Sequence, residues 1–586
     1  MHLKSERLDA INIHYIKGDN NMERGNCMKK HRGLKIGKTL RTALALCLAL
    51  FIAAGAVAGC SGTSGQQPPP TTGAPATEAP ATGAPATEAP ATEAPATDAQ
   101  PANTGVASRI SISRPADSDD LDPVTQDGNV NIWLFTLAIE GLVKCSDDGT
   151  QIEPYLATHW EISPDQLTYT FHLLPNLVFS DGSPVTKEDW EWTFERARDP
   201  ESTWAFALDN VDTVTAPDDQ TVVVHLNETS AAIFANLAMF NLGVQSKAYF
   251  DKVGPEGYHN GPVGTGPYMF TEWKKGESVL MTRNPNYRTP GLPKTDEIIF
   301  TLIPDDNTRI MQLEAGQADI ATFVPWNRMD ELSNTPGITA AAIPSTETNY
   351  IQFNTTGDCL SDQRVRQALD YATDKEEIIQ GVFFGYAEPA GSFMTKFGMY
   401  WDSQTQSRAY DPDKAKSLLA EAGYPDGFDL TITLPSGNTI RIDIATILKE
   451  QWAKVGVNLS LELMDAATAT QKLQTLKSEL QIRGWTNDTV DPSQVVGYAT
   501  QFKNSKNFYT GWNDPVIEAY AEQALVEMDD AKRQDLYRKI QQGYIEATPM
   551  IPLVYVPYGV AYSDKISGFV QTPLGNYRFE NLVKNK

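Results

Sequence analysis

Across residues 166–174, Leu167, Tyr169, Phe171 and Leu173 alternate with more polar positions. Alternation with a period of two predicts a strand with one buried face. Ser180-Asp181-Gly182 marks a turn soon after it, and residues 221–226 and 279–281 predict further strands. Elsewhere the period lengthens to that of a helix. Ser361 is placed to cap a helix whose apolar face is Val365, Ala368, Leu369 and Ala372. Asp374 with Glu377 three residues on is a capping-box pattern. Asp411-Pro412 sets an N-cap before a proline at the first helical position, and Gly423 closes that helix. Asp514-Pro515 repeats the device before Val516, Ile517 and Tyr520. Strands and helices in this mixture predict α/β lobes around a cleft.

The first hundred residues follow different rules. A basic run (Lys29, Lys30, Arg32, Lys35, Lys38, Arg41) precedes an apolar stretch over residues 43–58. Sixteen helical residues reach about 24 Å, short for a stable membrane span. Basic residues, a short apolar core and small residues together predict a secretory signal. Val57-Ala58-Gly59-Cys60 resembles a bacterial lipobox, in which the cysteine is lipidated and becomes the new N-terminus. The alternative is an uncleaved anchor helix. Residues 1–27 carry no signal character, and Met28 offers a second start that would leave them untranslated. Beyond Cys60, to residue 107, Ala-Pro-Ala-Thr occurs five times, starting at Ala74, Ala79, Ala84, Ala89 and Ala94. Proline every fifth residue blocks a helix, and the segment has nothing to build a core from. It predicts a stiff linker, reaching about 150 Å extended or about 40 Å as a coil. A glycosylated stalk is the other reading of its threonines.

Length and charge narrow the rest. A chain of 586 residues is too long for one core and predicts two to four domains. The net charge of -26 excludes nucleic acid as a partner, since phosphate binding needs a basic surface. Cleavage before Cys60 removes ten Lys/Arg and four Asp/Glu, which takes the charge to -32. So acidic a body is repelled by an anionic membrane, so contact with the membrane is expected through the lipid anchor only. Past Cys60 only Cys145 and Cys359 remain, without CxxC spacing. They are read as two buried thiols or as a disulfide.

Motifs for chemistry are absent. No HExxH, GxSxG or GxxxxGK[ST] occurs. Gly264-Thr265-Gly266-Pro267 lacks the lysine of a phosphate loop and is read as a turn. His159, His172, His225 and His259 show no metal-ligand spacing, and Asp119-Asp120, Asp147-Asp148 and Asp529-Asp530 read as solvated faces or turns. The expectation is no catalytic residue, no metal and no cofactor.

Several blocks then carry a resemblance. They are Leu121-Asp122-Pro123 with Glu140-Gly141-Leu142-Val143, then Phe179-Ser180-Asp181-Gly182-Ser183-Pro184-Val185-Thr186, Gly264-Thr265-Gly266-Pro267-Tyr268, Arg283-Asn284-Pro285-Asn286-Tyr287 and Arg364-Val365-Arg366-Gln367-Ala368-Leu369. In this order they resemble the family 5 solute-binding proteins, the dipeptide-, oligopeptide- and nickel-binding components of ABC importers, over nearly all of residues 108–586. One stretch departs: the family usually has a basic residue and Gly before the Phe-x-Asp-Gly turn, where this chain has Leu174-Pro175-Asn176-Leu177.

The resemblance implies a type II periplasmic-binding fold, pear-shaped and three-lobed. Lobe I would comprise 108–148, 255–355 and 545–586, lobe II 149–254 and lobe III 356–544. Crossings near 355 and 545 would form the hinge, and the ligand would be enclosed between lobes I and III. In peptide-binding members a Trp-x-x-Asp segment pairs a carboxylate with the ligand's ammonium group, and Asp488 in Gly484-Trp485-Thr486-Asn487-Asp488 matches it. Trp485 and Trp401 are candidate pocket walls and Asn487 a neighbouring contact. Phe353 and Asn354 end a strand that resembles the family's peptide-pairing segment. Arg483 stands two before Trp485 where oligopeptide-binding members place an Arg three before, so that role is not carried over and the contact for a peptide's C-terminus stays unassigned.

The implied function is capture of di- or oligopeptides for an ABC permease by a monomer tethered to the outer face of the cytoplasmic membrane. The same family with an oligosaccharide, opine or metal complex as ligand stays open. So do a tethered hydrolase and a sensor.

Overall fold

The computed structural model describes residues 109–126 and 128–585. The expected signal segment, Cys60 and the Ala/Pro/Thr linker lie outside them.

One mixed sheet runs through most of the described chain. Its order is Val457–Met464, Phe428–Pro435, Leu480–Trp485, Ile338–Phe353, Met550–Ser563, Ile320–Thr322, Arg109–Arg114, Glu297–Leu302, Ser278–Arg283 and Tyr268–Lys274. Arg109–Arg114 is parallel to both of its neighbours, and so is Phe428–Pro435. A separate antiparallel sheet has the order Ala157–Ile162, Thr168–Leu173, Thr221–Leu226 and Val211–Asp218. Strict burial of alternate residues in Thr168–Leu173 and Thr221–Leu226 follows the sequence pattern, as a half-covered sheet requires.

Three hydrophobic cores organise these layers. One gathers Ile110, Phe135, Met281, Phe300 and Phe579. A second packs Ile351, Leu369, Ile432, Leu448 and Trp452. The third, under the smaller sheet, holds Tyr169, Phe171, Trp190 and Val224. The 16-residue strand Ile338–Phe353 and the 14-residue strand Met550–Ser563 pass from the first core to the second as an antiparallel pair. Their register slips twice. Residues 344–346 face Pro557 alone, and Asn349 pairs with Val554 while Tyr350 pairs with Pro552. Pro344, Pro552 and Pro557 lack the N–H that a ladder needs, so the slips fall where the sequence removes donors. Side chains take over there: the Ser345 hydroxyl donates to the Val556 carbonyl, and the Thr346 Oγ1 accepts from the Asn487 N–H at 3.0 Å.

Helix caps differ from expectation in two places. The helix Gln363–Tyr371 is capped by Asp362, which accepts from the Arg364 N–H, while Ser361 closes the preceding 3-10 turn by donating to the Asp358 carbonyl. Asp374 does cap its helix, but Glu377 accepts from Gln451 Nε2 at 2.9 Å in place of the reciprocal box bond. The Asp411-Pro412 and Asp514-Pro515 caps form, and Gly423 sits at φ +95°. In the departing stretch Asn176 adopts φ +55°, a conformation Asn tolerates better than most residues with a side chain. Gly264 and Gly266 press against the end of the helix Asn129–Ala138: a Cβ would come within 2.3 Å of the Ala138 carbonyl and 2.5 Å of the Leu137 carbonyl. Cys145 and Cys359 are both buried, in separate clusters, with no disulfide between them. Burial pushes the Cys145 thiol up to about 12. Among the described residues no helix is long and apolar enough to cross a membrane.

Candidate ligand-binding site

In α/β sheets, loops at the carboxyl ends of parallel strands are where ligands bind. Here Arg109–Arg114 ends at Pro115, Ile320–Thr322 at Phe323, Phe428–Pro435 just before Asn438 and Leu480–Trp485 at Thr486. Three of these ends open onto a cavity of about 680 Å³, lined from both cores where the long strands cross. That volume lies within the ~300–1,000 Å³ of small-molecule sites. Trp133, Phe323, Trp326, Tyr558 and Val560 contribute from one side, and Val382, Phe383, Phe384, Ile440 and Arg441 from the other. Glu347, Asn349 and Val556 lie on the crossing strands themselves.

The charged groups on this wall differ in how they are held. Arg309 is fully buried and engaged: it donates to the Thr322, Ile303 and Phe323 carbonyls and to Asp306. Those bonds fix the turn in which Phe323 takes φ +53°. Glu347 accepts from Asn349 Nδ2 at 2.9 Å. Burial pushes its carboxyl up from the ordinary range, against that hydrogen bond and the Arg441 charge. Burial, followed by the charges of Glu347 and Asp488, holds the Tyr558 phenol well above its ordinary value.

The fourth strand end carries the acid loop. Asp488 is half-buried; its N–H donates to Gln494 Oε1 at 3.2 Å, and its Oδ2 accepts from Gln494 Nε2 at 2.8 Å. Asp491 anchors the same loop through the buried Arg533, with contacts of 2.5 and 3.0 Å, and accepts from the Ser493 N–H ahead of the helix Ser493–Thr500. Asn487 is buried, with its Oδ1 accepting from Trp485 Nε1 at 3.0 Å. Trp485 packs on Tyr498 and Phe508. Trp401 donates to the Tyr555 hydroxyl at 3.3 Å and borders the same aromatic cluster. Phe353 is 1% exposed inside the second core, and Asn354 donates to the Leu476 carbonyl and closes a turn onto Thr356.

Thus the structure brings Trp485, Asn487 and Asp488 together, with Trp401 on the same cluster, and sets Phe353 and Asn354 apart. None of the six lines the large cavity. The link is Tyr558, which lines the cavity and feels the Asp488 charge. Thr486 makes a second link: Asn129 Nδ2 lies 3.5 Å from its hydroxyl, joining the acid loop to the first core's helix. The cavity has room for a small-molecule guest, and the acid loop lies outside its lining. Sequence reasoning missed Glu347, Phe323, Phe384, Arg441 and Tyr558. Among the described residues no group of three or more His, Cys, Asp or Glu is placed to hold a metal ion.

Two cores joined by a crossing strand pair, with a cavity at the crossing, define a periplasmic-type binding protein. Residues 151–507 match the family described as "Bacterial extracellular solute-binding proteins, family 5 Middle". Heme-binding protein A of Haemophilus influenzae is 30% identical over 468 residues, 74% of this chain and 84% of that protein. Glutathione-binding protein GsiB of Pectobacterium atrosepticum is 30% identical over 474 residues, 79% of this chain and 91% of that one. Among solved structures, the periplasmic binding protein DppA from Helicobacter pylori in complex with peptide STSA aligns with a TM-score of 0.72 and 26% identity, covering 82% of this chain and 98% of that chain. The chain belongs to family 5 of the bacterial extracellular solute-binding proteins, which bind small molecules for ABC transporters.

Proposed function

We propose that this protein captures short peptides outside the cytoplasmic membrane and presents them to the permease of an ABC importer, without catalysis. The feature that supports this most is the mixed charge on the cavity wall: Glu347 and Arg441 both line it, and the Asp488 loop follows the strand that pairs with Ile338–Phe353. A guest with an ammonium at one end and a carboxylate at the other complements such a wall; a neutral sugar does not use its charges. Closing over the guest lowers the effective dielectric and strengthens each contact. Desolvation opposes it, so the hydrogen bonds that orient Asp488 through Gln494 matter.

In this reading lobe I (108–148, 255–355, 545–586) and lobe III (356–544) close on the peptide, with lobe II (149–254) alongside. Bending falls at the register slips. A lipid on Cys60 and the linker beyond it hold a monomeric body at the membrane's outer face. Calorimetry and native mass spectrometry with a peptide library and with cello-oligosaccharides test the assignment. Peptides are expected to bind, and Asp488→Asn to lose at least about tenfold in affinity, as for a hydrogen bond to a charged group. Sugar binding that is indifferent to Asp488→Asn removes the peptide reading and leaves the family.

A further inference from the structure

A second cavity, of about 450 Å³, lies where the body of the smaller sheet meets the helices Ser493–Thr500 and Pro515–Val526. Its volume also falls within the ~300–1,000 Å³ of small-molecule sites. The smaller-sheet body contributes Phe206, Asp209, Ser230 and Asn236, and the helix Ser493–Thr500 contributes Gln494 and Tyr498. The Ala231 N–H donates to the Leu525 carbonyl at 2.8 Å and joins the two sides. No residue on this wall lines the large cavity at the strand crossing.

The wall carries one charge. Asp209 is its only acid, and no Lys, Arg or His lines it. The Asp209 carboxylate has no hydrogen bond or ion pair among the described residues. Although solvent reaches the residue, burial pushes its carboxyl up from the ordinary range. A cation beside it would offset that penalty, because an opposite charge nearby favours the anion.

The neighbours of Asp209 suit an organic cation. Asp209 closes the 3-10 turn Ala205–Leu208, and its N–H donates to the Phe206 carbonyl at 3.3 Å, so acid and ring come from one turn. Asn236 Nδ2 donates to the Ala207 carbonyl of the same turn at 3.0 Å, which leaves its Oδ1 as an acceptor. Ser230 is 4% exposed, and its hydroxyl has no partner among the described residues. Tyr498 adds a second ring, while the Gln494 amide is already spent on Asp488. Ammonium and guanidinium groups are donors without acceptors and are drawn to aromatic faces.

We propose that this second cavity binds a small organic cation, an alkylammonium or alkylguanidinium compound, with Asp209 as its counter-ion, Ser230 and Asn236 as its acceptors and Phe206 and Tyr498 as its aromatic sides. The site does not depend on what occupies the large cavity.

Calorimetry with butylguanidinium, and with 1-butanol and butyrate as its neutral and anionic counterparts, tests the site on wild type, Asp209→Asn, Phe206→Leu and Glu347→Gln. Wild type is expected to bind butylguanidinium at millimolar concentration or below, and neither counterpart. Asp209→Asn should weaken binding by about tenfold or more. Phe206→Leu, which removes a ring but no charge, should weaken it by about two- to fivefold. Glu347→Gln, in the large cavity, should leave the affinity as it is. Thermal melting checks folding, and Phe206→Leu decides the question if Asp209→Asn is unstable. Equal affinity in Asp209→Asn and wild type, or a loss in Glu347→Gln as large as that in Asp209→Asn, puts the cation elsewhere and overturns the proposal. Binding of 1-butanol as tight as that of butylguanidinium, or no binding of either, overturns it too. Each of these outcomes leaves the peptide reading untouched.

Discussion

Glu347 is a buried acid whose charged form works against the fold. Its carboxyl is held above its ordinary value because burial penalises the anion. Between the ordinary and the raised pKa the folded chain therefore binds more protons than the unfolded chain. Stability is fully present below the ordinary carboxylate pKa and is lost as pH climbs through the raised one. Glu347→Gln removes that loss. The variant is expected to melt higher than wild type at pH 7 and to show a flatter dependence of Tm on pH above about 4.5, the ordinary carboxylate value. Its peptide affinity should fall. A lower Tm at pH 7 would mean that the anion is well compensated in place.

At the scale of elements, the sequence was most legible where a local rule acts alone. Thr168–Leu173 and the Asp411 and Asp514 caps follow from neighbours within four residues. It was less legible where a distant partner competes. Gln451, 74 residues away, draws Glu377 out of its capping box. The site is an extreme case: Phe323, Glu347, Phe384, Arg441 and Tyr558 come from five separate segments, so no window of sequence contains the pattern. The Trp-x-x-Asp segment could be found because it is contiguous. The prolines at 344, 552 and 557 were a readable sign of the crossing, since they interrupt segments otherwise apt for strands. The acid loop depends on a partner the sequence does not advertise, the buried Arg533. Arg533→Met leaves Asp491 buried without its counter-ion. Breaking such a pair costs about 3–5 kcal/mol. Denaturant unfolding should show that loss, and the double variant with Asp491→Leu should recover part of it. A change below about 0.5 kcal/mol, the level of ordinary surface substitutions, would show that the pair is dispensable.

For the whole molecule, the strand pair is the bridge between cores. Its two register slips, among twelve paired positions, interrupt the ladder near the cavity and are where bending is expected. Peptide binding is therefore expected to draw the cores together, and small-angle scattering should record a smaller radius of gyration with peptide than without. An unchanged radius at saturating peptide would argue for a site that is already closed.

The place of the last long strand has a further consequence. Met550–Ser563 is not at an edge: it lies between Ile338–Phe353 and Ile320–Thr322, and so completes a sheet whose other members were made long before. A truncation that spares every cavity residue before 550 is therefore expected to remove the strand that joins the two halves of the sheet, and with it the folded two-core body.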